Sequence, residues 1–176
     1  AGGAYYYFGV AYWLSILLKK KIPADDIKML TLHINIDGIP IFNSSSMSLW
    51  PVLGTIQEFE TSVPPFVIAV FCSEKKPDSV TCYLQEFIDE LRVLKDSGFS
   101  LAPGSQVWSI RLGAIICDAP ARAFVKCVKV HNSYYGCERC TQKGDWCSKV
   151  IFPKTSEPLR NTNNFLKHID YQHHTG

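Results

Sequence analysis

Alternation of apolar and polar positions is clearest over residues 29–37, where Leu30, Leu32, Ile34 and Ile36 alternate with Thr31, His33, Asn35 and Asp37. A two-residue period predicts a strand with one buried face, and Gly38 marks its end. Residues 39–42 suggest a short returning strand in which Pro40 favours an edge or a start. A polar loop over 43–48 and a short extended piece at 50–54 follow. After Pro64 and Pro65 the apolar run 66–71 reads as a buried strand. The best helix comes next: Asp78 or Ser79 caps it, Val80, Leu84, Phe87, Ile88, Leu91 and Leu94 form one stripe, and Gly98 ends it. Residues 107–117 read as a strand, buried near its end, that delivers Asp118 at its tip. Pro120 then opens a helix that continues to Lys129. At the other end, 9–18 predicts a surface helix with Val10, Trp13, Leu14 and Leu17 on one face. Lys19, Lys20 and Lys21 complement its C-terminal dipole.

The order is strand, strand, strand, helix, strand, helix, with one Asp ending the first strand and another following the fourth. That order predicts an α/β fold with an RNase H-like mixed sheet and flanking helices. From His131 onward periodicity gives way to a turn-rich segment carrying Tyr134, Tyr135, Gly136, Cys137, Cys140, Gly144, Pro153 and Pro158. The expected organisation is a helical lead-in over 1–28, a core over 29–130, and a small irregular Cys-x-x-Cys zinc-binding insertion over 131–176.

Composition narrows this picture. The chain has 176 residues, 47% hydrophobic and 19% charged, enough for one sizeable core and unlike a disordered sequence. A net charge of +2 is too small to argue for nucleic acid, so any DNA contact rests on local clusters. The apolar run before Lys19 is too short to span a membrane, and its charges follow rather than precede it, unlike a secretory signal. With no such signal, seven cysteines point to metal rather than disulfides. The Ala-Gly-Gly start and the His-His-Thr-Gly end suggest a piece of something longer.

Three groups carry candidate chemistry. Asp37 and Asp118 are expected at neighbouring strands of one sheet, where two carboxylates can share hard cations such as Mg²⁺ or Mn²⁺. The alternative is an Asp-Gly turn and a helix cap. Cys137 and Cys140 supply half of a tetrahedral zinc site, with His173 and His174 as first candidates for the rest and His131, Cys147 and His168 behind them. Two free thiols in a turn is the competing reading, and Cys72, Cys82, Cys117 and Cys127 read as small packed apolar residues. Arg122, Lys126 and Lys129, followed by Tyr134 and Tyr135, could hold a DNA backbone and stack on an unpaired base, or could be solvated helix charges.

Four segments carry a family resemblance: Ile34-Asn35-Ile36-Asp37-Gly38-Ile39-Pro40-Ile41-Phe42, Ser44-Ser45-Ser46 through Trp50-Pro51, Cys117-Asp118-Ala119-Pro120-Ala121-Arg122-Ala123-Phe124, and Tyr134-Tyr135-Gly136-Cys137-Glu138-Arg139-Cys140. Together they resemble eukaryotic DDE transposases of the CACTA (En/Spm) and Plavaka-like kind over nearly the whole chain. The Asp-Ala-Pro-Ala block and the following Gly-Cys-x-x-Cys are the most specific parts. The resemblance implies that Asp37 and Asp118 are the first two acids of an Mg²⁺-dependent site for DNA strand cleavage and transfer. It also implies a zinc site built from Cys137, Cys140 and the His173-His174 pair. DNA as partner, a homo-oligomer when full length, no membrane and a nuclear location follow from it. The family's third acid lies further downstream, and Asp145, Glu157 and Asp170 are the acidic residues after the Cys pair here. The expectation is therefore a catalytic-domain fragment that is inactive alone. The rivals are a domesticated or decayed binding module without catalysis, and an RNase H-like nuclease unrelated to transposition.

Overall fold

The computed structural model describes residues 2–21, 23–24, 26–42, 46–59 and 63–175. The chain divides into two compact units, 1–117 and 118–176. The division falls at the end of a strand, earlier than the expected start of an appended segment at His131, and the expected lead-in belongs to the first unit.

In the first unit the elements are β1 (Ala4–Tyr7), α1 (Val10–Lys20), β2 (Met29–Ile36), β3 (Ile39–Pro40), β4 (Ser48–Ile56), β5 (Phe66–Ser73), α2 (Val80–Ser97), β6 (Phe99–Ser100) and β7 (Val107–Cys117). They make a mixed sheet in the order β1-β5-β4-β2-β7-β6, with β3 paired to β4. The run β2, β4, β5 is antiparallel, whereas β2 and β7 are parallel. A parallel pair needs a long crossover. Here α2 supplies it and packs on β5 and β7, while α1 packs on α2 and β5. The expected strands at 30–37, 66–71 and 107–117 thus share one sheet, with the expected helix packed on it.

The alternating pattern of β2 is the core's backbone: Leu30, Leu32, Ile34 and Ile36 are all buried. Val52 and Ile56 from β4, Phe66 and Ile68 from β5, and Phe87 and Leu94 from α2 are buried as well. Ser79 caps α2, accepting from the Cys82 N–H, and Gly98 closes it at φ 71°. A side chain there would be strained by the left-handed backbone and would strike the Trp108 carbonyl at 2.8 Å.

Several details differ from the sequence reading. Ile88 is 37% exposed, and Tyr83 takes the buried place on α2 instead, because its ring packs inward and its hydroxyl donates to the Trp50 carbonyl at 3.0 Å. The end of β7 is open rather than buried: Ile115 and Ile116 are 51% and 53% exposed. Cys82 is exposed rather than packed. The returning strand stops at Pro40, short of Phe42. β4 is longer than expected and runs through Pro51, which is tolerated because pairing to β2 begins only at Val52 and pairing to β3 ends at Leu49. Within the expected loop at 43–48, residues 43–45 lie outside the described residues, as do Ser44 and Ser45 of the quoted motif. α1 is no loose surface helix. Val10, Leu14, Leu17 and Leu18 are buried, and the half-buried Trp13 stacks on Phe66 at 5.5 Å and donates to the Val67 carbonyl.

The second unit holds α3 (Ala119–Val125), a hairpin of β8 (Asp145–Trp146) and β9 (Val150–Ile151), and α4 (Thr162–Leu166). α3 stops before the expected Lys129 because Cys127 turns left-handed at φ 51°. The chain then bridges Val128 to His174 and Cys140 to Leu159.

Candidate functional site

Asp37 follows the last residue of β2 and accepts the Gly38 N–H on Oδ1 at 2.7 Å. At that end of the sheet Ile36 lies opposite Cys117 of β7, and the Asn35 side-chain amide donates to the Ile116 carbonyl at 3.2 Å. The paired strands therefore finish level with each other, and Asp118 is the next residue after Cys117. Asp118 opens the second unit as the N-cap of α3, its Oδ1 accepting the Ala121 N–H at 2.7 Å. The cap role of Asp118 is thus real, while Asp37 holds the N–H of the glycine that follows it, and each contact uses Oδ1. A carboxylate so held offers hard oxygen to a divalent cation.

The Cys-x-x-Cys turn lies within the second unit. Cys137 and Cys140 bring their sulfurs to 3.3 Å, and the Cys140 N–H donates to the Cys137 sulfur at 3.4 Å. Gln142, buried, donates to the Cys140 sulfur at 3.1 Å and to the Lys154 carbonyl at 2.7 Å. The Gln142 contact is the main reason the Cys140 thiol is held below its ordinary pKa, against burial, with Arg160 contributing charge.

His173 is fully buried, with Nδ1 2.7 Å from the Tyr135 carbonyl. A carbonyl only accepts, so Nδ1 carries the proton and the neutral ring presents a lone pair at Nε2. That Nε2 is buried without a hydrogen-bond partner. Burial pushes the His173 pKa down, the Tyr135 bond opposing it, which favours the neutral ring. His174 is also buried, its pKa lowered by burial and then by His168, on which it stacks at 4.0 Å. The other zinc candidates, His131, Cys147 and His168, are exposed. Two sulfurs a few ångströms apart and an orphaned imidazole nitrogen are donor types that suit zinc. Among the described residues, however, no three His, Cys, Asp or Glu side chains are gathered into a group that could hold an ion. Binding therefore requires these side chains to close further.

The basic residues are less available than their spacing implied. Glu138, between the two cysteines, accepts from Arg122 Nε at 2.8 Å and from Lys126 Nζ at 2.8 Å. Burial alone would raise the Glu138 pKa, but the bonds from Lys126 and Arg122 outweigh it and lower it. Lys129 is exposed, and Lys143 sits over the rings of Tyr134 and Tyr135 at 5.7 and 6.0 Å. Glu138, Gln142 and Arg160 were not singled out from sequence. Glu138 had a signal in its position inside the Cys-x-x-Cys, while Gln142 and Arg160 act through loop carbonyls that no spacing rule reveals. No described helix is long and apolar enough to cross a membrane. The chain matches neither a protein-family model nor any of the curated proteins compared with it.

Proposed function

We propose that this chain is part of the catalytic core of a DDE transposase of the CACTA or Plavaka-like kind, with an RNase H-like sheet, acting on DNA in the nucleus. The observation that supports it most is the register of β2 and β7. In the order β5-β4-β2-β7 the first strand of the meander is central and parallel to the strand after the helix, and Ile36 is level with Cys117. Asp37 and Asp118 are each one residue beyond that pair. A divalent cation bound there would activate the attacking hydroxyl and stabilise the leaving oxygen of a phosphodiester. The chain's own contribution is to fix its two carboxylates, through the Gly38 N–H on Asp37 and the α3 cap made by Asp118. Cys137, Cys140 and His173 serve as zinc ligands, with His174 packed behind His173. Arg122 and Lys126, engaged with Glu138, brace α3 to the cysteine turn, which leaves Lys129 as the better candidate for a phosphate contact.

A non-catalytic, DNA- or protein-binding descendant of such an enzyme is the second reading. The acids after the cysteine pair are engaged locally: Glu157 pairs with Lys154 at 3.0 Å, Asp170 with Arg160 at 2.6 Å, and Asp145 stands on the β8 hairpin. None of them is a third acid on a helix.

Thermal unfolding with and without Mn²⁺, with Zn²⁺ present throughout, tests the carboxylate assignment. At a free concentration about 100 times Kd, binding stabilises by about 2.7 kcal/mol, which is a rise of several degrees for a chain of this length. Asp37→Asn and Asp118→Asn are each expected to abolish that rise, and Asn preserves the cap of α3. A rise that survives in either variant removes that residue from the site, and no rise in the wild type removes both.

A further inference from the structure

We infer that Arg160 is the positioning residue of the zinc site, the one side chain that holds its cysteine half and its histidine half in a single frame. The inference rests on the zinc reading above and adds to it a residue that is not itself a ligand.

Three connections carry it, all within the second unit. Arg160 Nε donates to the Cys137 carbonyl at 2.8 Å, so one arm grips the backbone of the first thiol residue. Nη1 donates to the Asp170 carboxylate at 2.6 Å, and the backbone carbonyl of Asp170 accepts the His173 N–H at 3.0 Å. The second arm thus reaches, through one residue, the peptide that bears the imidazole. The Arg160 N–H also donates to the Arg139 carbonyl at 2.9 Å, beside the Cys140–Leu159 bridge. The Arg160 side chain is only 11% exposed. A rigid planar fork with fixed donor directions suits this task, and a lysine cannot reproduce it.

The third nitrogen gives the arrangement a direction. Arg160 Nη2 is buried and has no hydrogen-bond partner, as is true of His173 Nε2. Both a buried cation's donor and a buried imidazole lone pair are costly to leave unmade. Zinc at this site would take the lone pair of His173, and the thiolates it draws from the cysteines would offset the guanidinium charge.

The test is zinc affinity, measured by competition with a chromophoric chelator on the reduced full chain. The thiolate-to-metal charge-transfer band of the Co²⁺ form is a second readout that a purely structural residue would leave unmoved. Arg160→Met is expected to weaken zinc binding about 10- to 100-fold and to shift or broaden the Co²⁺ band. Arg160→Lys is expected to recover only part of the affinity, because charge returns without the fork. Should Arg160→Met fail to fold, Asp170→Asn removes one arm's charged partner and is expected to weaken binding in the same direction. Affinity within threefold of wild type in the folded variant overturns the role of Arg160. Absence of zinc from the reduced wild type overturns the zinc reading itself, and this inference with it.

Discussion

The two compact units are held together by different means. In the first, a periodic sequence packs long apolar side chains between a sheet and two helices, and backbone ladders satisfy the polar groups. In the second, the buried apolar side chains among the described residues are Ala121, Ala123, Val128 and Cys140, with Gln142, His173 and His174 the buried polar ones. Its larger apolar residues, Trp146, Leu159, Leu166, Ile169 and Tyr171, face solvent. A unit of about 60 residues buries too small a fraction of its surface to be secure without help. With no large apolar side chain fully buried among its described residues, the second unit leans on polar clamps and, on the proposed reading, on a metal. A sheet core is specified by pattern, whereas a clamp is specified by a few side chains in the right places.

The largest effect expected from this contrast is on metal removal. Chelation of zinc, or Cys137→Ser, withdraws metal-coupled folding energy on the order of 10 kcal/mol from the second unit. Amide exchange should then show 118–176 losing protection while β2, β4, β5 and β7 keep theirs. Unchanged protection in the second unit would show that its clamps suffice. Next in size, Phe87→Ala is expected to cost about 3–5 kcal/mol by opening a cavity under α2. Zinc affinity should stay at its wild-type value, and a parallel loss would mean that the units do not stand apart energetically.

Alkaline pH probes the first unit more gently. Burial, then Glu86, pushes Tyr5 up to about 12, and burial followed by the Glu90 contact raises Tyr7 further. Burial also raises Tyr83. A phenol whose folded pKa exceeds its unfolded value of about 10 contributes stability that is complete below that pH and lost as pH climbs through the folded value. Unfolding free energy should therefore fall above about pH 10, less steeply in Tyr7→Phe. Three phenols should ionise late when followed by absorbance. Smallest of all, Ile88→Ser should change stability by no more than about 0.5 kcal/mol. A loss of several times that in urea unfolding would restore Ile88 to the core.

Legibility followed the same division. β2 and α2 were readable because burial on one face imposes a period, β5 and β7 because their apolar runs suit a strand, and the Ser79 and Gly98 caps because their conformations favour those residues. β1 was not. Four residues at an edge carry no period, and they become a strand only because β5 is there to pair, Ala4 opposite Cys72 and Tyr7 opposite Ala69. The N-terminus of α1 was equally hidden. It has no side-chain cap of its own, and Glu90 of α2 accepts the N–H groups of Val10 and Ala11 at 2.6 and 3.0 Å. Asp37 and Asp118 were legible as acids at strand ends, and Cys137 and Cys140 as a turn pair. The different settings of His173 and His174 were not, since His173 meets the Tyr135 carbonyl while His174 stacks on His168. Nor was the neutralisation of Arg122 and Lys126 by Glu138.

The break in register between β2 and β7 gives the sheet a spare residue. Leu32 faces Leu112 but His33 faces Ala114, so Gly113 has no partner, and the positions opposite the buried Leu30, Leu32, Ile34 and Ile36 of β2 run Ile110, Leu112, Ile115 and Cys117. A side chain there would force its neighbours to move, because a Cβ on Gly113 would lie 2.5 Å from Thr31 and 2.7 Å from the His33 ring. Loss of a codon elsewhere in β7 would turn the strand's remaining length inside out, exchanging its two faces. Loss of the codon for Gly113 would only straighten it, with Ile36 still meeting Cys117. In genetic terms, position 113 is a site in this strand where losing a residue keeps the register of the strand ends, while adding a side chain crowds Thr31 and His33.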